Sequence, residues 1–479
     1  MSLVTKKIYE LSTMLSSKEI SSLELTQAYL DNIQQDNKNI IPTNAYITVT
    51  PELALEGAKQ ADKKIQNNTH TSLTGIPLGV KDLINVKDIP MTCASKILTG
   101  YISSYDATVI QKLIRNEGMP HLGKLNMDEF AMGSSNETSY YGAVKNPHNR
   151  EFSPGGSSGG SAAAIAGNLA PVTLGTDTGG SIRQPAAFCG CVGFKPTYGR
   201  ISRYGATAFA SSLDQIGPIA KCVTDAAMIY QAMAGYDPKD STSSKNPIEV
   251  INNSKDIKGL KIGLPKEFFV DTLDNEIKEQ VLQTAKELEK QGAILSEVSI
   301  PYIKHAPAIY YIIAPAEASA NLERFDGIRY GNREMADVLS ETYIKSRTEG
   351  FGSEVKRRIM LGTFILSSES YDSFFLKAQQ VRSVLIEEYT KAFDSVDLLL
   401  GPTTPTPAFK INEKINDPVS MYLNDIFTIS ANLVGTPAIS IPIGLSKSQQ
   451  LPIGLQLTAR CFDEVALFKG AHAVESLFL

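Results

Sequence analysis

Hydrophobic spacing changes character along the chain, and those changes divide it before any single residue is interpreted. Over the first 65 residues apolar positions recur at helical spacing. Ser21 and Glu24 stand three apart, the spacing of a capping box, and Leu25, Ala28, Tyr29 and Ile33 then line one face. This predicts an N-terminal helical segment over 1–65, packed on the body of the protein. From Gly75 the texture shifts to short apolar runs separated by Gly, Pro, Ser and Asn. IPLGV (Ile76–Val80) reads as a buried strand with Lys81 at its C-terminal end. PVTLGTD (Pro171–Asp177) reads as a second, running into a Gly-Gly-Ser loop. Between Lys261 and Ile300 the pattern is strand, helix, strand. KIGL opens it, a helix follows with Ile277, Val281, Ala285 and Leu288 on one face, Gly292 ends that helix, and ILSEVSI closes it. Helices are expected over 306–395, after which DLLLGPTTP and AISIPIG return to strands. The alternation predicts an α/β fold around a large, largely parallel or mixed sheet. The Ser, Asn, Asp and Lys-rich stretch from Asp237 to Lys255 is expected as a surface loop.

Composition narrows the function classes. Of 479 residues 42% are hydrophobic and 20% charged, as in a globular protein with a large core. A net charge of −5 argues against an extended basic footprint for nucleic acid, so an RNA substrate would have to be gripped by a partner. The five cysteines (Cys93, Cys189, Cys191, Cys222 and Cys461) are an odd, scattered set, which predicts free thiols in a reducing compartment. Cys189 and Cys191 form a C-x-C without a matching second pair, so no metal site is expected. The N-terminus lacks the apolar run of a secretory signal, and no stretch reaches the ~18 apolar residues of a membrane span. A cytoplasmic protein without membrane contact is expected.

The chemistry concentrates in two serine loops. FSPGGSSGGSAAAIAG, residues 152–167, lacks the lysine of a phosphate-binding Walker loop. Gly155 to Gly159 does satisfy G-x-S-x-G, but the polar text before it is not the strand that a nucleophile elbow requires. A third reading places Ser157 in a proton relay. GTDTGGSIRQPA, residues 175–186, sets Ser181 after two glycines at a strand end. There the backbone of Thr178, Gly179, Gly180 and Ser181 can aim several N–H groups at one point, as an oxyanion hole needs. A serine hydroxyl needs a neighbouring base. None of His70, His121, His148, His305 and His472 lies in such a loop, and His148 reads as a surface residue. A lysine made neutral by burial can serve instead, and Lys81 is the candidate. Most lysines at strand ends are simply solvated; the two serine loops raise this one above that background.

GGSSGGSAAAIA followed by GTDTGGSIRQPA resembles the amidase signature, and GIPLGVKD resembles that family's lysine segment. GFKPTYGRIS and LDQIGP continue the likeness. It implies one catalytic domain over 66–479, an α/β fold with a large mixed β-sheet flanked by helices on both faces, and Ser–cis-Ser–Lys catalysis, with Ser181 as nucleophile, Ser157 as relay and Lys81 as base. Within the family, GKLNMDEFAMGSS, AEASANLERFDGIRYG, EGFGSEVKRRIMLGTF and NDIFTISANLVGTPAISIP resemble the glutaminase subunits of tRNA-dependent amidotransferases. Leu125 departs from that branch, which usually has threonine there.

The closer likeness implies release of ammonia from glutamine for amidation of Glu-tRNA(Gln), Asp-tRNA(Asn) or both. It implies a heterotrimer with a tRNA-binding B subunit that uses ATP and Mg²⁺ and a small C subunit, and no cofactor in this chain. It places the glutamine site on Tyr310, Arg358 and Asp425, with Tyr311 an adjacent competitor. A guanidinium fork suits an α-carboxylate, and a carboxylate suits an α-ammonium. Each residue alone also has a plain structural reading: Arg358 as a solvated charge beside Lys356 and Arg357, Asp425 as a helix cap, Tyr310 as core. The alternatives are a stand-alone broad-substrate amidase and a catalytically idle binding scaffold.

Overall fold

The strand-like runs meet in one mixed sheet. The computed structural model describes residues 2–414 and 417–478. In chain order its strands are β1 (Tyr46–Val49), β2 (Leu78–Lys81), β3 (His121–Leu125), β4 (Val172–Asp177), β5 (Val192–Lys195), β6 (Gln215–Ala220), β7 (Lys261–Pro265), β8 (Ile294–Val298), β9 (Leu398–Pro402), β10 (Ala438–Leu445) and β11 (Pro452–Ala459). Their order across the sheet is β1-β3-β2-β4-β6-β5-β10-β11-β9-β7-β8. The α/β architecture is therefore as the alternating text predicts, and the sheet is mixed, as the family resemblance implies. No helix among the described residues is long and apolar enough to cross a membrane.

β2 lies between β3 and β4 and runs parallel to both. A strand with such neighbours is covered on both faces, which is why its sequence is a continuous apolar run and every residue of it is buried. Parallel pairing also brings the C-terminal ends of β2 and β4, and the loops that follow them, to one edge. The helix Gly159–Ala166 packs there on small side chains. A Cβ on Gly160 would come within 2.3 Å of the Asn126 carbonyl oxygen, so glycine is what allows the approach. Ser161 Oγ donates to Leu174 O at 3.0 Å, tying this helix to β4.

The N-terminal stretch is helical over Ile8–Ser16, Ser22–Asn37 and Pro51–Gln66. The capping box forms, Ser21 Oγ accepting from Glu24 N at 3.1 Å and Glu24 Oε2 from Ser21 N at 2.8 Å. Leu25, Tyr29 and Ile33 are buried, with Ala28 at the margin. One correction applies: Tyr46–Val49 is not helical but forms the edge strand β1, antiparallel to β3. Four aromatic and β-branched residues favour a strand yet are too few to show a period.

Between β8 and β9 lie the helices Ala306–Asn321, Leu339–Gly350, Ser353–Ile365 and Lys377–Phe393, which carry Tyr310 and Arg358. The Asp237–Lys255 stretch is irregular and mostly exposed, but it is pinned. Arg203 forks onto Asp240 with Nε and Nη2 at 3.1 Å each, and Ser202 Oγ donates to Asp237 at 2.6 Å. Cys93, Cys189, Cys191 and Cys222 are buried free thiols, and Cys461 is partly exposed.

Candidate active site

Lys81 ends β2 fully buried, and what surrounds its ammonium position is hydroxyl, not carboxylate. Nζ lies 2.8 Å from both Ser157 Oγ and Ser158 Oγ and 2.9 Å from Thr176 Oγ1. Burial without a hydrogen-bonded counter-charge lowers its pKa to about 7, against the weaker pull of Asp128 and Asp177. The Gly156–Ser157 peptide bond is cis. Ser158 Oγ also donates to Thr176 O at 3.1 Å, so β4 and the helix entered after Ser157 hold the lysine between them.

Ser181 lies in the loop after β4 and is 7% exposed, whereas Ser157 and Lys81 are sealed. Ser158 N donates to Ser181 O at 3.1 Å, which keeps the two serine loops in contact. The loop is shaped by Asp177, whose Oδ1 accepts from Gly180 N at 2.8 Å and whose Oδ2 accepts from Ile182 N at 3.2 Å. This corrects the expected oxyanion donors. The Gly180 N–H is already committed to Asp177, leaving the amides of Thr178, Gly179 and Ser181 as the available set.

Burial alone would raise the Asp177 carboxyl. The Arg183 guanidinium, forked onto it with Nε and Nη2 at 3.0 Å each, instead holds it at about 2. Arg183 also donates to Gln456 Oε1, Asn432 Oδ1 and Thr428 O, and it is wholly buried. Thr178 is held by its own hydroxyl, which donates to Asp214 at 2.7 Å.

Of the three residues expected to hold a free amino acid, Tyr310 and Asp425 reach this loop, and Arg358 lines a cavity beside Ser134, the hydrogen-bond partner of Asp425. Tyr310 is buried against Gly179, where an added Cβ would sit 2.9 Å from its ring. Tyr311 instead stacks on Tyr422, with ring centroids 3.9 Å apart. The Arg358 guanidinium lies 5.5 Å from the Tyr311 ring centroid, 5.4 Å from that of Tyr422 and 5.6 Å from that of Phe209. The structure thus separates the two tyrosines, one against the serine loop and the other in the cage around the arginine.

Arg358 is buried rather than solvated, unlike exposed Arg357. Its Nε donates to Glu354 Oε1 at 2.8 Å, and Tyr422 Oη donates to the same oxygen at 3.0 Å. Burial alone would lower Arg358, but Glu354 holds it above its ordinary value. Its two terminal nitrogens have no hydrogen-bond partner among the described residues and are free to fork onto a ligand. Arg358 lines a cavity of about 270 Å³ together with Ser134, Glu129, Glu354 and Tyr422.

Asp425 accepts from Ser134 Oγ on Oδ2, while its buried Oδ1 has no partner among the described residues. That oxygen would lie 3.1 Å from a Cβ on Gly180. Burial, against the Ser134 hydrogen bond, raises the Asp425 carboxyl to about 7. A buried, half-satisfied carboxylate beside the serine loop is a ready acceptor for an ammonium group.

Several residues of this site escape sequence reasoning. Asp128, Ser134, Asp177, Arg183 and Gln184 sit within recognisable segments, but nothing in their spacing says what they touch. Gln184 Oε1 accepts from Gly156 N at 3.0 Å and its Nε2 donates to Ser134 O at 2.9 Å, bridging both halves of the site. His148 is exposed, as expected, with Nε2 3.0 Å from the Cys189 carbonyl oxygen. Among the described residues no cluster of three or more His, Cys, Asp or Glu is placed to hold a metal ion.

A serine loop after a central strand thus meets, through its backbone, a second serine loop whose Ser157 hydroxyl lies on a sealed lysine. The chain belongs to the amidase family, whose sequence profile spans residues 24–468. Its relatives include the A subunit of glutamyl-tRNA(Gln) amidotransferase of Geobacter sp. (strain M21), 54% identical over 471 residues and covering 98% of this chain and 96% of that protein. The protein of the same name from Sulfurihydrogenibium sp. (strain YO3AOP1) is 52% identical over 483 residues, covering 100% and 98%. Among solved structures, the corresponding glutamyl-tRNA(Gln) amidotransferase protein from Thermotoga maritima matches with a TM-score of 0.82 at 39% identity, over 99% of this chain and 95% of that one. Native peptide amidase from Stenotrophomonas maltophilia matches with a TM-score of 0.82 at 29% identity, over 98% and 96%.

Proposed function

We propose that this chain is the glutaminase subunit of a tRNA-dependent amidotransferase. The observation that carries this reading is a buried guanidinium and a buried carboxylate linked through Ser134: Arg358 lines a cavity with Ser134, and Asp425, against the Ser181 loop, accepts from it. An uncharged amide has no use for a buried guanidinium with free nitrogens and a buried carboxylate with a free oxygen, whereas glutamine offers a partner to each. The 54% identity to the A subunit of an amidotransferase supports the same choice over a stand-alone amidase.

In the proposed reaction, neutral Lys81 accepts a proton from Ser157 Oγ as Ser157 takes one from Ser181 Oγ. Ser181 attacks the side-chain carbonyl of glutamine, and the N–H groups of Thr178, Gly179 and Ser181 stabilise the oxyanion. The C–N bond breaks as the relay returns a proton to the leaving nitrogen, and ammonia departs. Water activated by the same relay then hydrolyses the glutamyl ester, releasing glutamate and restoring Ser181. The ammonia would serve a B subunit that uses ATP and Mg²⁺ to amidate Glu-tRNA(Gln), Asp-tRNA(Asn) or both, with a small C subunit completing a cytoplasmic heterotrimer.

The test is acid-quenching the protein during glutamine turnover, with partner subunits present, followed by peptide mass spectrometry. A glutamyl adduct on Ser181 is expected. An adduct on another residue removes Ser181 as nucleophile, and robust turnover of uncharged amides with none of glutamine restores the stand-alone amidase.

A further inference from the structure

The loop from Asp128 to Thr138 touches both halves of the site, and one of its side chains has no part in the reaction proposed above. At its start, Asp128 N donates to Ser157 O at 3.2 Å. The Asp128 carboxylate then closes the loop on itself, accepting from Asn136 N and Thr138 Oγ1 at 2.9 Å each. Further along, Ser134 Oγ donates to Asp425. Between them, Glu129 is 2% exposed and directs its carboxylate to Gly352 and Ser95. Its Oε2 and Oε1 accept from Gly352 N at 2.9 and 3.1 Å, and Ser95 Oγ donates to Oε1. Gly352 is the residue that caps the helix Ser353–Ile365, on which Arg358 sits.

We propose that Glu129 is a positioning residue for substrate recognition. Its carboxylate fixes the start of the Arg358 helix to the same loop that holds Asp425 and the Ser157 backbone. The proposal rests on the glutaminase reading and deepens it, since it concerns how the distance between the reacting serines and the amino-acid clamp is set.

Arg358 lies six residues beyond Gly352, about 9 Å along the axis at 1.5 Å per residue, so a shift at the tether is carried rigidly to the guanidinium. The contact also leaves no room for a side chain at its far end. A Cβ on Gly352 would lie 2.3 Å from Glu129 Oε2, and its three nearest neighbours all belong to Glu129. The Gly352 backbone, at φ −69° and ψ 170°, accepts alanine without strain. Gly352→Ala is therefore a local wedge that displaces the carboxylate and spares the rest of the fold.

The experiment is steady-state glutaminase kinetics on the assembled enzyme for Gly352→Ala, Glu129→Ala, the double variant and, in parallel, Arg358→Ala. A displacement of about 1 Å at a positioning group costs up to roughly a hundredfold, so each single variant is expected to raise KM for glutamine about ten- to a hundredfold. kcat should stay within about threefold, because the serines and Lys81 are not moved. The double variant should be no worse than the poorer single, since both break one contact.

KM losses that multiply in the double variant, or a fall in kcat at unchanged KM, overturn the proposal. Should Glu129→Ala not fold, Gly352→Ala decides alone: an unchanged KM in that variant removes the tether. If Arg358→Ala raises KM but the tether variants do not, the tether fails and the glutaminase reading stands. If Arg358→Ala leaves KM unchanged, the glutamine clamp itself fails.

Discussion

Lys81 and Arg358 are both buried cations of one site, and their surroundings push them in opposite directions. Around Lys81 every hydrogen-bonding neighbour is a hydroxyl or a carbonyl, so burial draws its pKa down to about 7, which suits the base of the proposed reaction. Around Arg358 a carboxylate sits on Nε and three aromatic faces surround the plane, so the charge is kept, as the proposed binding of an α-carboxylate requires. The reacting half is built into neighbouring central strands and the loops that leave them. The recognising half is assembled from helices lying outside the sheet. Burial alone therefore does not decide what a cation does; the counter-charge does.

The sharpest way to break this contrast is Lys81→Arg. Arginine cannot be deprotonated in a protein, so the variant is expected to be as inactive as Lys81→Ala, with kcat down at least about a hundredfold. An arginine variant with near-normal turnover would make Lys81 a structural cation like Arg358.

The opposite change, Arg358→Ala, is expected to raise KM for glutamine roughly ten- to a hundredfold, the worth of a charge-assisted contact of about 1.5–3 kcal/mol. Hydrolysis of butyramide, which has no α-groups, should be no worse than in the unaltered protein. Equal losses on both substrates would assign Arg358 to folding.

The smallest effect separates the halves by pH. In the proposed reaction Lys81 acts as the neutral form, so kcat should climb as pH rises through about 7 and then level. Asp425 binds as the anion, so KM should climb severalfold as pH falls through about 7, and Asp425→Asn should flatten that dependence. A KM profile that survives Asp425→Asn unchanged would dismiss its role as ammonium acceptor.

What the sequence made legible follows the same division. The strands with long apolar runs and the two serine loops are contiguous in the chain, so pattern and spacing expose them. β1, β5 and β6 are short or interrupted by Gly and Pro, as in QIGPIA, and leave little period to read. Arg358 looks like one charge of a basic helix face until Tyr311, Tyr422 and Phe209 are brought around it. The commitment of Gly180 N–H to Asp177 is a matter of loop geometry and leaves no trace in composition. Ser134 and Glu129 act through partners hundreds of residues away, Asp425 and Gly352.

The strand order also sets a timetable for synthesis. Lys81, Ser157 and Ser181 have all emerged by the time β6 is complete, yet one edge of β5 has no partner until β10 is made. At roughly 5–20 residues per second, the stretch from Lys195 to Ala438 takes on the order of 12–50 s to translate. Throughout that interval the nascent chain presents a bare row of backbone donors and acceptors, and Arg183 waits for Thr428, Asn432 and Gln456. A ribosome stalled short of β10 would thus release a chain with every reacting side chain and an open edge, a candidate for aggregation rather than a smaller enzyme.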